Sequence, residues 1–389
     1  MTPFFPSHHP TLNPKTLIIG ASLLGSLGVL AVFVEPNAEP NLDSTVEDVA
    51  GSPELLSLGF NNAEQIVTDE GSNGIHMAWV ADQQLFFVSR NEEGVLTAKS
   101  MAEGNILLPA LAQSKNQVGL AWVEKIDGEN FVHVRISQDS GENFGEAKIL
   151  GSGSGVSLRA SGEQMSLAWH ENASPLSSKI MLSVWAEKEW SEPIRVDAST
   201  QAPLWPSVAM DGSELYVTWR DNRNGYYSIW LRRSLDGGKT WEEEQNISKA
   251  ISGDPDICLG AENTVWLAHH GKGNITLRQS TDGGVHFNHE ESLGSGHFAH
   301  LSCNKETAAI VWEDGEAVAW AFYKNEFKKI DAGQIHDGKT AAGTAYLSPK
   351  NDFLEIFWIK ITGSTPLLGN LRHQKIFFNT SQTLKKDLS

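Results

Sequence analysis

The sequence predicts an all-β chain that folds as a β-propeller of four-stranded blades, preceded by an N-terminal transmembrane helix. Three observations predict this architecture. A short apolar strand that ends in tryptophan recurs at a nearly constant spacing, and three of the repeats share one polar turn. An uncharged run of 18 residues, 17–34, lies near the N-terminus.

The recurring strand is an apolar pentapeptide that reads IHMAW in its first copy and VGLAW in its second. Short apolar runs of this kind are typical of strands. Each copy follows another strand and a turn, such as Pro206–Met210 with Asp211-Gly212, and precedes two more strands. Four strands in 43–50 residues, without helical periodicity, indicate one propeller blade per repeat. The seven copies end at Trp79, Trp122, Trp169, Trp219, His269, Trp312 and Trp358.

We predict seven blades, and a six-bladed ring with one degenerate repeat is the alternative. Each repeat tryptophan is expected where neighbouring blades pack face to face. The last repeat supplies three strands, over 344–348, 354–360 and 371–378. The strand-like segment Pro53–Gly59 is expected to add the fourth, because this pairing closes the ring and removes free sheet edges.

Three repeats carry the same turn after their third strand, of the form S-x-D-x-G-x-x-[WF]. Aspartate oxygens in such a turn accept hydrogen bonds from backbone N–H groups, and glycine supplies a positive φ. The aromatic residue is expected to cover the turn. The three copies are Ser137–Phe144, Ser234–Trp241 and Ser280–Phe287.

These turns, in the same phase of a repeat, resemble the Asp-box or bacterial neuraminidase repeat of the sialidase superfamily. The resemblance covers about residues 53–380, and the unit around Tyr216–Trp241 matches the family's repeat best. It implies a sialidase-like propeller in which Asp139, Asp236 and Asp282 are structural and lie away from the functional face. That face is implied to consist of the loops after the tryptophan strands and the loops that enter each first strand.

The resemblance also implies what a working sialidase would need: three arginines around the substrate carboxylate, a tyrosine nucleophile paired with a glutamate, and an aspartate acid/base. The first family arginine normally lies in an R-I-P-like motif of the first blade, where this chain has Ala63–Val67 and no arginine. This absence argues against catalysis. The candidate ligand-binding residues on the implied face are Arg159, Arg220, Asp221, Arg223, Tyr226, Tyr227, His269, His270, Glu313 and Asp314.

Several of these candidates have a structural alternative. Arg220 and Asp221 could form an ion pair within one blade, and Tyr226 and Tyr227 could pack at the rim. No tyrosine can be assigned a glutamate partner from spacing alone.

The histidines also have two interpretations. His269 replaces the repeat tryptophan, and His270, His297 and His300 belong to the same or the next repeat. A metal site is conceivable, but no ligand spacing such as H-x-x-x-H is present, and adjacent histidines on a strand point to opposite faces. We therefore favour packed or surface histidines and expect neither a metal nor a cofactor.

Cys258 and Cys303 are the only cysteines, and they lie in the first strands of consecutive repeats. Aligning PDICL with AHLSC places them one position out of phase, so they point to opposite faces of their own blades. Because neighbouring blades meet by opposite faces, a disulfide is one alternative in an oxidising compartment. Two buried free thiols are the other.

The N-terminal run Leu17–Val34 would span about 27 Å as a helix at about 1.5 Å per residue, close to the thickness of the bilayer's hydrocarbon core. Lys15 precedes the run and acidic residues follow it, which favours a single-pass, N-inside orientation. We predict an uncleaved anchor, with a cleaved signal peptide as the alternative. The predicted parts are a cytoplasmic tail (1–16), the anchor (17–34), an acidic flexible linker (35–52), a periplasmic or extracellular propeller (53–380) and a polar tail (381–389).

The net charge is −18, from 30 Lys and Arg against 48 Asp and Glu, which argues against a nucleic-acid partner. The leading hypothesis is a membrane-anchored propeller that binds a glycan or a protein without hydrolysing it. The first alternative is an exo-acting, sialidase-like glycosidase with a divergent arginine clamp, and the second is a scaffold subunit of a membrane complex. The fold by itself does not decide among them.

Overall fold

The computed structural model describes residues 55–57, 63–71, 74–90, 96–174, 177–338, 340–347, 353–361 and 369–377. Every regular element in these residues is a β-strand. They contain no helix that is long and apolar enough to cross a membrane. The predicted anchor, 17–34, lies outside the described residues, as do the predicted tails and linker.

The first three blades occupy the chain up to Arg195. Blade 1 contains β2 (Ala63–Gly71), β3 (Gly74–Ala81), β4 (Gln84–Arg90) and β5 (Leu96–Glu103). Blade 2 contains β6 (Ile106–Ser114), β7 (Gln117–Ile126), β8 (Glu129–Ser137) and β9 (Lys148–Ser152). Blade 3 contains β10 (Ser154–Ser161), β11 (Gln164–Ser174) and β12 (Ser177–Ala186), and its outer strand is split into β13 (Glu189–Trp190) and β14 (Ile194–Arg195).

Four more blades follow. Blade 4 contains β15 (Leu204–Asp211), β16 (Glu214–Asp221), β17 (Ser228–Ser234) and β18 (Gln245–Asn246). Blade 5 contains β19 (Gly253–Leu259), β20 (Val265–Gly271), β21 (Asn274–Ser280) and β22 (His289–Ser295). Blade 6 contains β23 (His297–Cys303), β24 (Thr307–Asp314), β25 (Ala317–Lys324) and β26 (Lys328–His336). Blade 7 contains β27 (Thr340–Leu347), β28 (Phe353–Ile361), β29 (Gly369–Phe377) and β1 (Leu55–Ser57). A pairing of Ala63 with Gly369 also joins β2 to β29, so the strands of blades 1 and 7 form one continuous sheet.

The ring closes between the two ends of the described chain. The first strand of each blade is its inner strand, and successive inner strands contact one another around the ring, including β27 with β2. The strand β1 pairs with β29, with Leu56 opposite His373. The strand β1, from the start of the propeller, therefore supplies the outer strand of blade 7, as the sequence predicts.

The repeat tryptophans form the contacts between blades. Trp122 shares one hydrophobic cluster with Leu85 and Phe87 of blade 1, and Trp219 shares another with Leu182 of blade 3. Both tryptophans are fully buried, and truncating a buried tryptophan to alanine costs about 3–5 kcal/mol in proteins generally. The predicted packing role of the repeat tryptophan is thus what the structure shows.

The interface between blades 4 and 5 differs from the others, because His269 takes the place of the tryptophan. Its apolar cluster, which includes Leu231 and Ile257, has fewer buried residues than the clusters described for the five interfaces from blade 1 to blade 4 and from blade 5 to blade 7. The His269 side chain is buried, and Arg278 Nε lies 3.4 Å from its Nε2 atom.

Each inner strand begins with a β-bulge, where the register to the second strand shifts. In blades 2 to 6 the residue that directly follows the last paired residue before the shift has a positive φ, between 47° and 63°. These residues are Leu108, Gly155, Trp205, Asp254 and Phe298. Bulges re-aim side chains. Side chains at this position therefore leave the strand's normal alternation and project at the end of the ring where the inner strands start.

The three S-x-D-x-G turns share one hydrogen-bond pattern. In the turn of blade 4, Ser234 Oγ donates to Asp236 Oδ1 (2.8 Å) and accepts from Gly238 N–H (2.9 Å). Asp236 Oδ1 also accepts from Thr240 N–H (2.8 Å). The same bonds recur around Asp139 and Asp282. These aspartates therefore hold hairpins between third and fourth strands, at the end of the ring opposite the bulges.

Cys258 of β19 and Cys303 of β23 are joined by a disulfide, with their Cα atoms 5.8 Å apart. The bond links the inner strands of blades 5 and 6. It lies next to the interface that lacks a tryptophan.

We predict that β1 stabilises the whole ring. Deleting residues 54–59 from the full chain should lower its melting temperature by several degrees, because the strand's ladder bonds, at about 1 kcal/mol each, and the ring closure are lost. Deleting the six residues 42–47 should leave the melting temperature unchanged. Calorimetry on both variants makes the comparison, and equal melting temperatures would show that closure by β1 does not contribute.

Candidate functional site

The candidate site lies at the mouth, the end of the central channel where inner strands begin and second strands end. Seven side chains from blades 4, 5 and 6 form the mouth cluster: Trp205, Arg220, Tyr227, Asp254, His270, His297 and Phe298. The bulges place Trp205, Asp254 and Phe298 there, while Arg220 and His270 stand at the ends of β16 and β20. The face is the one that the resemblance implies.

Asp254 is the centre of the mouth cluster. Its Oδ1 lies 3.2 Å from Arg220 Nη1, and its Oδ2 lies 3.2 Å from His270 Nδ1. Burial raises the pKa of Asp254, but the contact with His270 and the charges of Arg220, His270 and His297 outweigh it, so the pKa lies below its ordinary value. The carboxylate is therefore ionised at neutral pH and holds Arg220 across the boundary between blades 4 and 5.

Two aromatic rings flank the Arg220 guanidinium. Its central carbon lies 5.1 Å from the centroid of the Tyr227 ring and 6.0 Å from that of Trp205, both within cation–π range. The Arg220 side chain is still 25% exposed. A flat cation between two rings, open to solvent on one side, is a surface on which a polar ligand with an apolar face can bind.

His170 of blade 3 supports Trp205 from below. Its ring centroid lies 5.6 Å from that of Trp205, and its Nδ1 accepts from the Trp205 N–H (3.4 Å). Burial, together with the charge of Arg220, lowers the pKa of His170 to about 4. A Cβ atom at Gly155 would lie 2.6 Å from His170 Nδ1. Glycine at the blade 3 bulge therefore leaves the room that the His170–Trp205 pair fills.

The cluster continues from Asp254 into blade 6. The rings of His270 and His297 meet edge to face, with centroids 5.3 Å apart, and the Phe298 ring centroid lies 6.3 Å from that of His297. Phe298 is 58% exposed. The mouth thus has aromatic rings at both ends and ionisable groups between them.

A second polar layer lies one step deeper in the channel, around Asp256. Its Oδ1 accepts from Ser207 Oγ (2.7 Å) and lies 3.5 Å from Arg159 Nη2, and its Oδ2 accepts from Leu301 N–H (2.8 Å). Burial and the charge of Arg159 lower the pKa of His300, although Asp256 opposes them. Asp256 therefore ties together the inner strands of blades 4, 5 and 6, and Arg159 reaches it from blade 3.

Two of the sequence candidates, Asp221 and Arg223, pair with each other outside the mouth cluster. Asp221 is fully buried and accepts from Arg223 Nε (2.8 Å), and Arg223 also pairs with Glu244 and lies over the Trp230 ring. The ion pair expected as an alternative for Arg220 thus forms between Asp221 and Arg223, and Arg220 pairs with Asp254 of the next blade.

Of the other candidates, His269 and Asp314 lie away from the mouth, and Glu313 and Tyr226 border it. His269 is buried between blades, where burial and the charge of Arg278 lower its pKa to about 4. Asp314 accepts from Ser295 Oγ (2.6 Å) and Gln334 Nε2 (2.7 Å) at the end of blade 6. Two candidates border the mouth: Glu313, opposite His297 in the strand register, and Tyr226, 37% exposed in the loop beside Tyr227.

Two tyrosine–glutamate pairs occur in the described residues, both away from the mouth. Tyr216 donates to Glu214 (3.2 Å) at the opposite end of blade 4, and Tyr323 donates to Glu291 (2.8 Å) between blades 5 and 6. Burial and the neighbouring glutamate raise the pKa of Tyr216 to about 12, and the same two causes raise that of Tyr323. Neither tyrosine is placed or activated as a nucleophile for a ligand at the mouth.

Sequence reasoning missed His170, Trp205, Asp254, Asp256 and Phe298. One signal could have found two of them: Leu108, Trp205 and Asp254 each precede a proline at the same repeat position. In the part of the chain that the structure describes, no group of three or more His, Cys, Asp or Glu side chains is placed to hold a metal ion.

Comparison with solved structures identifies other propellers. The polysaccharide lyase Uly1 aligns with a TM-score of 0.56 and 11% identity, over 82% of this chain and 90% of that chain. A sialidase of Trypanosoma rangeli aligns with a TM-score of 0.50 and 11% identity, over 76% of this chain and 57% of that one. The chain has a sialidase-like propeller fold. A GH93 α-L-arabinofuranosidase of Fusarium graminearum aligns with a TM-score of 0.50 and 12% identity, over 70% and 93%.

These three proteins are, by name, a polysaccharide lyase, a sialidase and an arabinofuranosidase, which are enzymes that act on glycans. This chain spans just over half of the sialidase's length. No protein-family model matches the chain, and no curated protein matches it in sequence.

We predict that stability falls as the pH is lowered from about 6.5 to about 4. His76, His170 and His269 are neutral in the fold, each with a pKa of about 4, mainly because of burial. Their unfolded pKa is about 6.5, so the unfolded chain binds more protons in this range. His170→Gln should lose less stability across this range than the native chain, as measured by melting temperature against pH. Substitution of the exposed His289 by Gln should leave the dependence of melting temperature on pH as in the native chain. If the dependence for His170→Gln is also parallel to that of the native chain, His170 does not contribute to the loss of stability.

Proposed function

We propose that this protein is a glycan-binding propeller whose ligand lies on the mouth cluster and is not hydrolysed. The observation that carries the proposal is the Arg220 guanidinium, set between the Trp205 and Tyr227 rings and oriented by Asp254. Aromatic faces bury the C–H face of a sugar, and a fixed guanidinium and carboxylate bind its hydroxyl or carboxylate groups. The ligands of the similar propellers support a glycan: arabinobiose for the arabinofuranosidase and a difluorinated nonulosonic acid for the sialidase.

Three features favour binding without hydrolysis. The first-blade segment Ala63–Val67 has no arginine, and Arg223 is held by Asp221 and Glu244. The tyrosine–glutamate pairs of the described residues lie away from the mouth. These features favour a mouth that binds its ligand over one that carries the arginine clamp and the tyrosine–glutamate pair of a sialidase.

A second candidate function is an exo-acting glycosidase with a divergent clamp of Arg159 and Arg220. It is favoured by the Asp254 carboxylate, which lies at the mouth next to His270, a pair that could transfer a proton. A protein ligand and a scaffold role in a membrane complex are the remaining alternatives, and the experiments below separate them from glycan binding.

We also propose that the propeller is held outside the cytoplasm by the uncharged segment 17–34, with the N-terminus inside. The disulfide between Cys258 and Cys303 supports this placement, because such bonds persist in oxidising compartments.

The binding proposal predicts that Arg220→Ala weakens glycan binding about tenfold or more, since hydrogen bonds to charged groups contribute about 1.5–3 kcal/mol. The full chain in detergent is tested on a printed array of sialosides, uronic-acid oligosaccharides and arabino-oligosaccharides. Lys239→Ala, which removes an exposed positive charge from the opposite end of the same blade, is the matched control and should bind normally. Arg220→Lys should restore little, because lysine lacks the planar fork.

A fluorogenic sialoside assay separates the two candidate functions. Turnover by the native chain that Arg220→Ala abolishes would overturn binding without hydrolysis. An array on which the native chain retains no glycan would overturn glycan binding altogether, and a pull-down through the native anchor would then test the scaffold alternative.

The anchor proposal predicts that the full chain stays with the membrane pellet after alkaline carbonate extraction. Protease added outside should digest the propeller and leave residues 1–34 protected. A mature chain whose mass lacks residues 1–34 would show a cleaved signal peptide instead.

A further inference from the structure

We propose that the mouth holds a second sugar-binding subsite on Phe298, so that the ligand is a saccharide chain crossing blades 4 to 6 and not a single terminal sugar. This inference rests on the proposed glycan binding and adds to it the extent of the ligand. The first subsite is the Arg220 surface between Trp205 and Tyr227. Phe298 forms the second.

Exposure singles out Phe298. Among the phenylalanine, tyrosine and tryptophan side chains that the structure describes, only Tyr226 and Phe298 are exposed, at 37% and 58%. Both stand on the mouth face. Single exposed apolar side chains are common on protein surfaces, so the relevant observation is the position of Phe298 next to the polar groups of the mouth, a combination that is common in binding sites.

The backbone aims the Phe298 ring at the mouth. Phe298 occupies the same bulge position as Trp205 and Asp254, with φ of 51° against 53° and 47°. The side chains of the other two lie in the mouth cluster, against Arg220. A non-glycine residue in this left-handed region is strained, and residues under such strain cluster at binding sites.

The groups between the two subsites suit a sugar chain. From Arg220 the contacts run to Asp254 (3.2 Å), from Asp254 to His270 (3.2 Å), and then ring to ring through His297 to Phe298. Aromatic rings at both ends could each stack on one sugar, while the carboxylate and imidazoles between them offer donors and acceptors to hydroxyl groups.

The same pattern disfavours a protein or a lipid surface as the occupant. The exposed rings at the mouth are separated by Arg220, Asp254 and the two histidines, so they do not form a continuous apolar patch. A ligand that alternates apolar faces with hydroxyl groups matches this spacing of rings and charges. We therefore assign the surface to one saccharide chain.

The test uses the full chain on an array that carries sialosides, uronic-acid oligosaccharides and arabino-oligosaccharides, each as a length series that starts from the single sugar. Native binding should strengthen with length. Phe298→Ala should weaken binding of the longer members by roughly three- to tenfold and leave the single sugar unchanged, because one stacking contact is lost. Trp205→Ala should weaken every length.

Further variants test whether a change in binding comes from backbone strain, or from the loss of any exposed apolar side chain, and not from the loss of the Phe298 ring. Phe298→Gly accepts the left-handed backbone without strain and should behave like Phe298→Ala. Phe298→Tyr keeps the ring and should bind as the native chain does. Leu235→Ala, which removes a side chain that is 51% exposed at the opposite end of the ring, is the matched control.

The outcomes distinguish this inference from the function on which it rests. If the native chain binds glycans but Phe298→Ala and Phe298→Gly match it at every length, the second subsite is wrong and glycan binding stands. If both variants weaken binding of the single sugar as much as binding of the longer saccharides, Phe298 belongs to the first subsite and the inference is again wrong. If the native chain binds no glycan, both proposals are wrong.

Discussion

The site depends on one backbone feature, the left-handed residue in the bulge that opens each inner strand of blades 2 to 6. A non-glycine residue in this conformation costs on the order of 1–3 kcal/mol. The closed ring holds it in place, because each inner strand is fixed by its own blade and by the inner strands on both sides. The chain then uses the aimed position differently in each blade: Leu108, Gly155, Trp205, Asp254 and Phe298. Gly155 makes room, and the next three residues build the mouth.

The mouth cluster forms beside the interface between blades 4 and 5, which lacks the repeat tryptophan. His269 replaces the repeat residue between blades 4 and 5, and the apolar cluster there is small. Polar bonds cross the same boundary at two depths, Arg220 with Asp254 at the mouth and Ser207 with Asp256 below it. The disulfide then joins blade 5 to blade 6. Part of the stabilisation that tryptophan packing supplies at the other interfaces thus comes here from polar bonds, one of which, between Arg220 and Asp254, lies in the candidate site.

The fold could be predicted from the sequence because its signals are local. The tryptophan strands, the S-x-D-x-G turns and the segment that closes the ring each occupy a short run of residues, and the structure places the described parts of all three as expected. The candidate site could be predicted only in part. Arg220, Tyr227 and His270 follow strands that the repeat marks, so their positions could be inferred.

The rest of the site depends on contacts between residues far apart in sequence. Arg220 pairs with Asp254 instead of the adjacent Asp221, because Asp221 is turned inward to Arg223. Trp205 and Phe298 lie in strands whose normal alternation does not apply at a bulge, so periodicity gives no direction for their side chains. The residue before proline in the repeat marks Trp205 and Asp254, but the contacts of Trp205, Asp254 and Phe298 form only where the ring brings the blades together.

Saccharide binding at the mouth is tested most directly by a crystal structure of the full chain bound to the saccharide that it retains most strongly on the array. We expect one sugar ring stacked on Trp205 or Tyr227 with a polar group on Arg220, and a further sugar over Phe298. A saccharide bound at the opposite end of the ring, beside the S-x-D-x-G turns, with the mouth cluster free, would contradict it.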